Sequence, residues 1–275
     1  MAERSERGYL DRGDAAIYYE IRGSGPGLVF AHGLGGNHLS WWQQVPHFAA
    51  RYTCVTFSHR GFALSRLDPA GRGCDAFGAD LAALVQHLEL KDVTLVCQSM
   101  GGWSGIDYAL SAGNRVRALV LASTSGRIDY ARVGGADAER LRRWNEAAPQ
   151  RLAGLQSRGI QVALGERGAR EQPALHYLYQ QIEALTPSEV RERMRREILA
   201  ARDLPPERLR DLAVPLLYIV GDEDVVFPAD AAEPLARCSR NARVERVPEA
   251  GHSVYFERPQ RFNAIVEGFL SATPR

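Results

Sequence analysis

The chain has 275 residues, 45% of them apolar and 24% charged, proportions of one ordinary globular domain that exclude a disordered, collagen-like or disulfide-stapled chain. Its 34 basic residues, all arginine except Lys91, are balanced by 33 acidic ones to a formal charge of +1, so no net field draws it to nucleic acid or anionic lipid.

Short β-branched runs alternate with longer segments of helical spacing, the pattern of a mostly parallel sheet with helices on its faces. An early hairpin is predicted at Gly8 to Leu10 and Ala15 to Arg22. A turn at Gly23-Ser-Gly-Pro-Gly27 follows; a strand and not a helix comes next, so this is no phosphate loop. Leu28 to Ala31 and Tyr52 to Phe57 read as strands. Phe77, Leu81, Leu84, Val85 and Leu88 recur with a helical period and form one apolar stripe. The strand Val93 to Val96 ends in an abrupt turn at Ser99 and a helix that Gly113-Asn114 can cap; the strand Ala118 to Ala122 closes this half.

From Gly126 to Pro206 strand signals give way to Arg, Glu, Gln and Ala at helical spacing. The expectation is a helical cap at 126–205 inserted into a core formed by 1–125 and 206–275. Within it Thr186-Pro187-Ser188-Glu189 reads as a capping box with proline at the first helical position, and Val190, Met194 and Ile198 mark one buried face. Strands return at Leu216 to Val220 and Ala242 to Val247, and a last helix presents Phe262, Ile265, Val266, Phe269 and Leu270 to the sheet. Cys54, Cys74, Cys97 and Cys238 are scattered without a Cys-x-x-Cys pair and are expected to be reduced. Met1 to Gly8 has charges but no apolar h-region, and no apolar run reaches membrane-spanning length, so a cytoplasmic protein without a membrane partner is expected.

The chemistry centres on Cys97-Gln98-Ser99-Met100-Gly101-Gly102, between a strand and a helix. A serine hydroxyl is a poor nucleophile at neutral pH and must be held exposed beside a base, which a tight strand-to-helix turn with small neighbours can do. Gly101 suits such a turn, and Cys97 stands where the Gly-x-Ser-x-Gly pattern has its first glycine. Taken alone, Ser99 reads equally well as a helix N-cap. A serine nucleophile also needs a histidine and an orienting carboxylate. The strand at 216–220 ends in an acidic loop with Asp222 and Asp224, and the strand at 242–247 leads to His252, so the chain order is serine, acid, histidine.

Four features in this order resemble the α/β-hydrolase superfamily, from about Tyr18 to Leu270. They are His32-Gly33-Leu34-Gly35-Gly36, the Ser99 turn, Gly221-x-x-Asp224-x-x-x-Pro228, and Gly251-His252 followed by Glu257-Arg258-Pro259. The resemblance implies an α/β-hydrolase fold: a mostly parallel central sheet flanked by helices, with an inserted helical cap. It implies Ser99 as nucleophile, His252 as base and then acid, and Asp224 rather than Asp222 as the orienting acid, because Asp224 fits the Gly-x-x-Asp spacing. The backbone amides of Leu34 and Met100 are the implied oxyanion donors, and His32 the implied hydrogen-bonding residue of its turn. Ser58-His59-Arg60-Gly61-Phe62-Ala63-Leu64-Ser65 occupies the family's Asp-x-Arg-Gly-x-Gly-x-Ser position, with Ser58 and Ala63 as departures. There Arg60 has two readings, structural or pairing with a substrate carboxylate, and His59 either packs its loop or lines the site.

Trp41, Trp42 and Trp103 lie close in sequence to these turns; Trp42 and Trp103 are the candidates to wall an acyl pocket, with the remainder core. His176 and Tyr177, with Tyr179, are the candidates for its ceiling. No cofactor and no metal are called for, since Asp222-Glu223-Asp224 is accounted for by the acid of the triad. The function expected is hydrolysis of a small carboxylic ester or lactone through an acyl-enzyme, by a monomer or homodimer whose partner is the small-molecule substrate. Two alternatives use the same fold: a hydrolase of carbon–carbon bonds in aromatic ring-cleavage products, and a slow-turnover ligand sensor.

Overall fold

Continuous apolar runs become interior strands of one sheet, as burial on both faces demands. A computed structural model describes residues 5–111 and 115–273; the cap expected at Gly113-Asn114 lies outside the described residues, as do the first four residues. The strands are β1 (Ser5–Asp11), β2 (Ala15–Arg22), β3 (Gly27–Ala31), β4 (Thr53–Phe57), β5 (Arg66–Leu67), β6 (Val93–Gln98), β7 (Val116–Ala122), β8 (Leu216–Gly221) and β9 (Ala242–Val247). Their order is β1-β2-β4-β3-β6-β7-β8-β9, with β5 on β2. Neighbours from β4 to β9 pair in parallel, while β1, β2 and β5 form the antiparallel end.

Among the described residues ten α-helices join them: α1 (Val45–Phe48), α2 (Phe77–His87), α3 (Gly101–Ser111), α4 (Ala136–Gln156), α5 (Gly165–Glu171), α6 (Pro173–Ala184), α7 (Ser188–Ala200), α8 (Ala232–Cys238), α9 (Val254–Glu257) and α10 (Pro259–Ala272). The two-residue period of the strands divides the core into two layers. Val29, Leu95, Cys97 and Leu119 face α2, α3 and α8, while Phe30, Val96, Val120 and Ile219 face α1 and α10. Each side chain buried this way contributes roughly 1.5–3 kcal/mol relative to exposure, before the entropy of ordering it. The four cysteines are free thiols, and no described helix is long and apolar enough to cross a membrane.

Helices α4 to α7 all lie between β7 and β8. Met194 and Ile198 anchor α7 in a third apolar cluster with Phe62, Phe77, Met100 and Trp103. The capping box expected at Thr186 does not form. Pro187 is extended and sits one position outside α7 with no side-chain cap. The Thr186 hydroxyl instead accepts the N–H of Ala63 at 3.1 Å, so a tertiary hydrogen bond displaces the local one.

Arg60 is structural. Its Nε and Nη2 donate to the two oxygens of Asp80 at 2.7 and 2.9 Å, and its Nη1 donates to Asp14 and to the Arg72 carbonyl, both at 2.9 Å. Arg60 is 2% exposed and Asp80 3%, so removing one partner strands a buried charge. Asp80→Ala is therefore expected to lower unfolding stability by about 3–5 kcal/mol, measured by urea denaturation; a loss below about 1 kcal/mol would contradict this account of the pair.

Candidate active site

Strand β6 runs straight into α3, and Ser99 at the junction has φ +48°, a left-handed conformation that costs a non-glycine residue about 1–3 kcal/mol. The bend brings backbones into contact: a Cβ on Gly101 would lie 2.3 Å from the carbonyl oxygen of Ala31. Cys97 is accommodated from the helix side, because a Cβ on Gly105 would sit 2.6 Å from its Sγ. The glycine missing two residues before Ser99 is thus replaced by one four residues into α3. The Ser99 N–H donates to Ala122 at 3.0 Å, which ties the turn to β7.

The loops after β8 and β9 bring the acid and histidine to this turn. Asp224 Oδ1 accepts the N–H groups of Val226 and Phe227 at 2.7 and 2.9 Å, and its Oδ2 accepts the Nδ1–H of His252 at 2.8 Å. With the proton on Nδ1, His252 Nε2 is an acceptor, and it lies 2.8 Å from Ser99 Oγ. The Asp224 side chain has no exposure and that of His252 only 5%. Asp222 turns outward to an ion pair with Arg246 at 2.7 Å.

A second carboxyl supports the histidine loop. Glu257 accepts the N–H of Gly251 at 2.9 Å on Oε2 and 3.1 Å on Oε1, and the N–H of Ser253 at 3.2 Å on Oε1. It thereby clamps the residues on either side of His252. Burial pushes the Glu257 carboxyl up to about 8, against the opposing pull of those N–H donors. Gln98 Nε2 adds a hydrogen bond to the His252 carbonyl at 3.2 Å. Glu257 stood in the family motif, but its role was visible only once the backbone N–H groups were located.

The loop after β3 runs beside the serine: a Cβ on Gly33 would approach Ser99 Cβ to 3.0 Å. His32 Nδ1–H donates to the Gly33 carbonyl at 2.8 Å, leaving Nε2 to accept the backbone N–H of His59 at 2.9 Å. The His59 ring continues the chain, with Nδ1 3.0 Å from His32 Nε2 and Nε2 2.8 Å from Ser104 Oγ. Burial holds His32 at about 3 and His59 well below the usual histidine range, so both are neutral hydrogen-bonding groups. The Leu34 and Met100 residues that carry the expected oxyanion donors sit on this loop and directly after Ser99, and Leu34 lines the cavity described next.

Ser99 and His252 open into a cavity of about 520 Å³ between the sheet end and helices α4, α6 and α7. Trp103 is on its wall. Trp42 is not: it follows a short turn that sends Trp41 into the core against Phe30 and Tyr255, and is itself 43% exposed against the edge of Phe256. Tyr177 is 63% exposed, whereas Tyr179 is buried and lines the cavity, as the roughly 200° between helical residues two apart requires. His176 stands apart from the lining, its Nε2 accepting the Gln161 N–H at 2.9 Å. Gln98, Tyr130, Trp144, Arg202 and Phe227 also line the cavity and were not singled out by sequence. Among the described residues no three His, Cys, Asp or Glu side chains converge as a metal ion would require.

The fold and this site define a hydrolase-type α/β protein, and comparison with known proteins agrees. A family model described as the alpha/beta hydrolase fold matches residues 26–259, and the chain belongs to that family. It is 29% identical to the "Putative carbamate hydrolase RutD" of Azorhizobium caulinodans over 95% of this chain and 97% of that protein. It is 27% identical to 3-oxoadipate enol-lactonase 2 of Acinetobacter baylyi over 94% of both. Among solved structures, a thermophilic esterase from Thermogutta terrifontis superposes with a TM-score of 0.76 at 24% identity, covering 98% of this chain and 99% of that one.

Glu257 yields a pH prediction. A carboxyl that ionises near 4.5 in the unfolded chain but only near 8 in the folded one makes stability fall as pH rises between those values, with the full loss reached above the upper one. Glu257→Gln has no such ionisation. In thermal denaturation across that range, the wild type is expected to lose stability relative to the variant as pH increases; parallel curves would contradict the buried neutral carboxyl.

Proposed function

We propose that the protein is a serine hydrolase that cleaves a small carboxylic ester or lactone through an acyl-enzyme. The observation that carries this reading is the unbroken series Asp224, His252, Ser99, with both links at 2.8 Å, opening into a cavity. Ser99 Oγ attacks the acyl carbon while His252 Nε2 takes its proton; Asp224 holds the imidazole tautomer and stabilises the cation that forms. The oxyanion is received by the backbone N–H groups of Leu34 and Met100, donors of a kind worth about 3 kcal/mol each in a preorganised site. His252 returns the proton to the leaving oxygen, the acyl-enzyme forms, and water activated by the same imidazole releases the acid. Helices α4 to α7, within 126–205, act as the cap that shapes the pocket and keeps bulk water from the acyl-enzyme. The similarity to the "Putative carbamate hydrolase RutD" and to an enol-lactonase supports this reading, since both names denote hydrolysis at an acyl carbonyl.

The test is p-nitrophenol release from short-chain acyl esters with burst and steady-state phases resolved. The wild type is expected to show both, and Ser99→Ala to lose at least about 10⁴-fold in kcat. A burst without turnover would replace the hydrolase by a ligand sensor, and no release from the folded wild type would count against ester hydrolysis.

A further inference from the structure

Among the described residues, Arg202 on the cavity wall is an arginine with no ion pair to a carboxylate. Arg202 lines the cavity, and its guanidinium carbon lies 5.4 Å from the ring centroid of Trp103 and 5.0 Å from that of Tyr130. Contact with aromatic faces holds a guanidinium in place while leaving its in-plane N–H edge available to donate. Arg202 Nε is buried with no hydrogen-bond partner, and so is the Nε1 of Trp103. Both atoms are donors only, so a ligand that satisfies them must be an acceptor.

The acidic groups nearby are engaged elsewhere. Asp203, next in sequence, accepts Arg127 Nη2 on both carboxylate oxygens, at 2.7 and 2.9 Å. Asp129 Oδ1 accepts the Ala131 N–H at 3.1 Å. Glu183 accepts Gln161 Nε2 at 2.6 Å and faces Arg191 at 3.9 Å. The Tyr130 hydroxyl donates to Asn145 Oδ1 at 2.9 Å, and its oxygen faces the Arg202 guanidinium as a neutral acceptor. Among the described residues no carboxylate lies within ion-pair distance of Arg202.

Resting on the hydrolase reading above, we propose that Arg202 determines specificity by pairing with a carboxylate of the substrate, so that the preferred ester or lactone is an anion. The carboxylate binds against the Trp103 and Tyr130 wall while the scissile carbonyl meets Ser99 one helical turn away from Trp103. Replacing bulk water by guanidinium N–H groups in a cavity of low dielectric is the setting in which a charge-assisted pair discriminates strongly against a neutral analogue.

The test uses mono-p-nitrophenyl esters of succinic, glutaric and adipic acids beside their methyl-capped, uncharged counterparts. At one or more chain lengths the wild type is expected to favour the anion at least tenfold in kcat/KM. Arg202→Gln is expected to collapse that ratio at least tenfold, with Arg202→Lys retaining part of it. No anion preference at any length, or a ratio unchanged in Arg202→Gln, would overturn the proposal. Titration calorimetry with Ser99→Ala separates it from the hydrolase reading. Monomethyl glutarate is expected to bind at least tenfold more tightly than dimethyl glutarate, and only while Arg202 is present. That binding without turnover in the wild type would sink the hydrolase and leave the anion site standing; equal binding of the two esters would sink the anion site.

Discussion

Everything at the site is referred to the bend at Ser99. A residue held at φ +48° persists only where its surroundings over-determine it, and here they do. The β3 backbone presses on Gly101, β7 accepts the Ser99 N–H, and Gln98 holds the His252 carbonyl. Because β6 lies between β3 and β7, the strands that confine the bend also carry the loop of Leu34 on one side and the β7 end on the other. Strand pairing and site assembly are therefore one constraint, and the two-layer packing of the sheet stabilises both.

The loops on both sides of Ser99 depend on neutral groups. His32 and His59 have their imidazoles kept uncharged by burial, and Glu257 keeps its proton to about pH 8 for the same reason. Charge is concentrated instead where it is compensated by several donors, as in the Arg60 and Asp80 pair and in the Asp224 carboxylate with its two backbone N–H groups. The loops that meet at Ser99 are thus joined mainly by hydrogen bonds between uncharged groups.

The sheet, the serine turn and the Asp224 and His252 loops were legible because each leaves a local signature: a buried strand, a tight turn, an acidic or histidine-bearing loop at a strand end. The cavity wall was legible only in part. Trp42 and Tyr177 failed as wall residues for one reason, that which face of a short turn or helix is inward depends on packing partners distant in sequence; Tyr179 and Trp41, two and one positions away, took the buried places. Thr186 failed as a helix cap because the N–H it binds belongs to Ala63, 123 positions away. Arg202 could not be distinguished in a chain whose basic residues are all arginine but one; only its position against Trp103 and Tyr130 sets it apart.

The bonds that hold α6 and α7 to the core bear on how a molecule enters and leaves. Thr186 accepts Ala63 N–H, Glu197 accepts Cys74 N–H at 2.9 Å, and Asn37 donates to the Ile182 carbonyl at 3.1 Å, while Met194 and Ile198 are buried in the core-facing cluster. Lifting these helices would break all of them together, at about 1 kcal/mol per hydrogen bond and more for the apolar surface. Helix α4 is held less firmly: across its 21 residues it buries only Leu141, Ala148 and Leu155, and Pro149 interrupts its hydrogen-bond ladder. The cavity wall with the fewest buried anchors is therefore α4, while α6 and α7 are tied to the core by both hydrogen bonds and apolar packing.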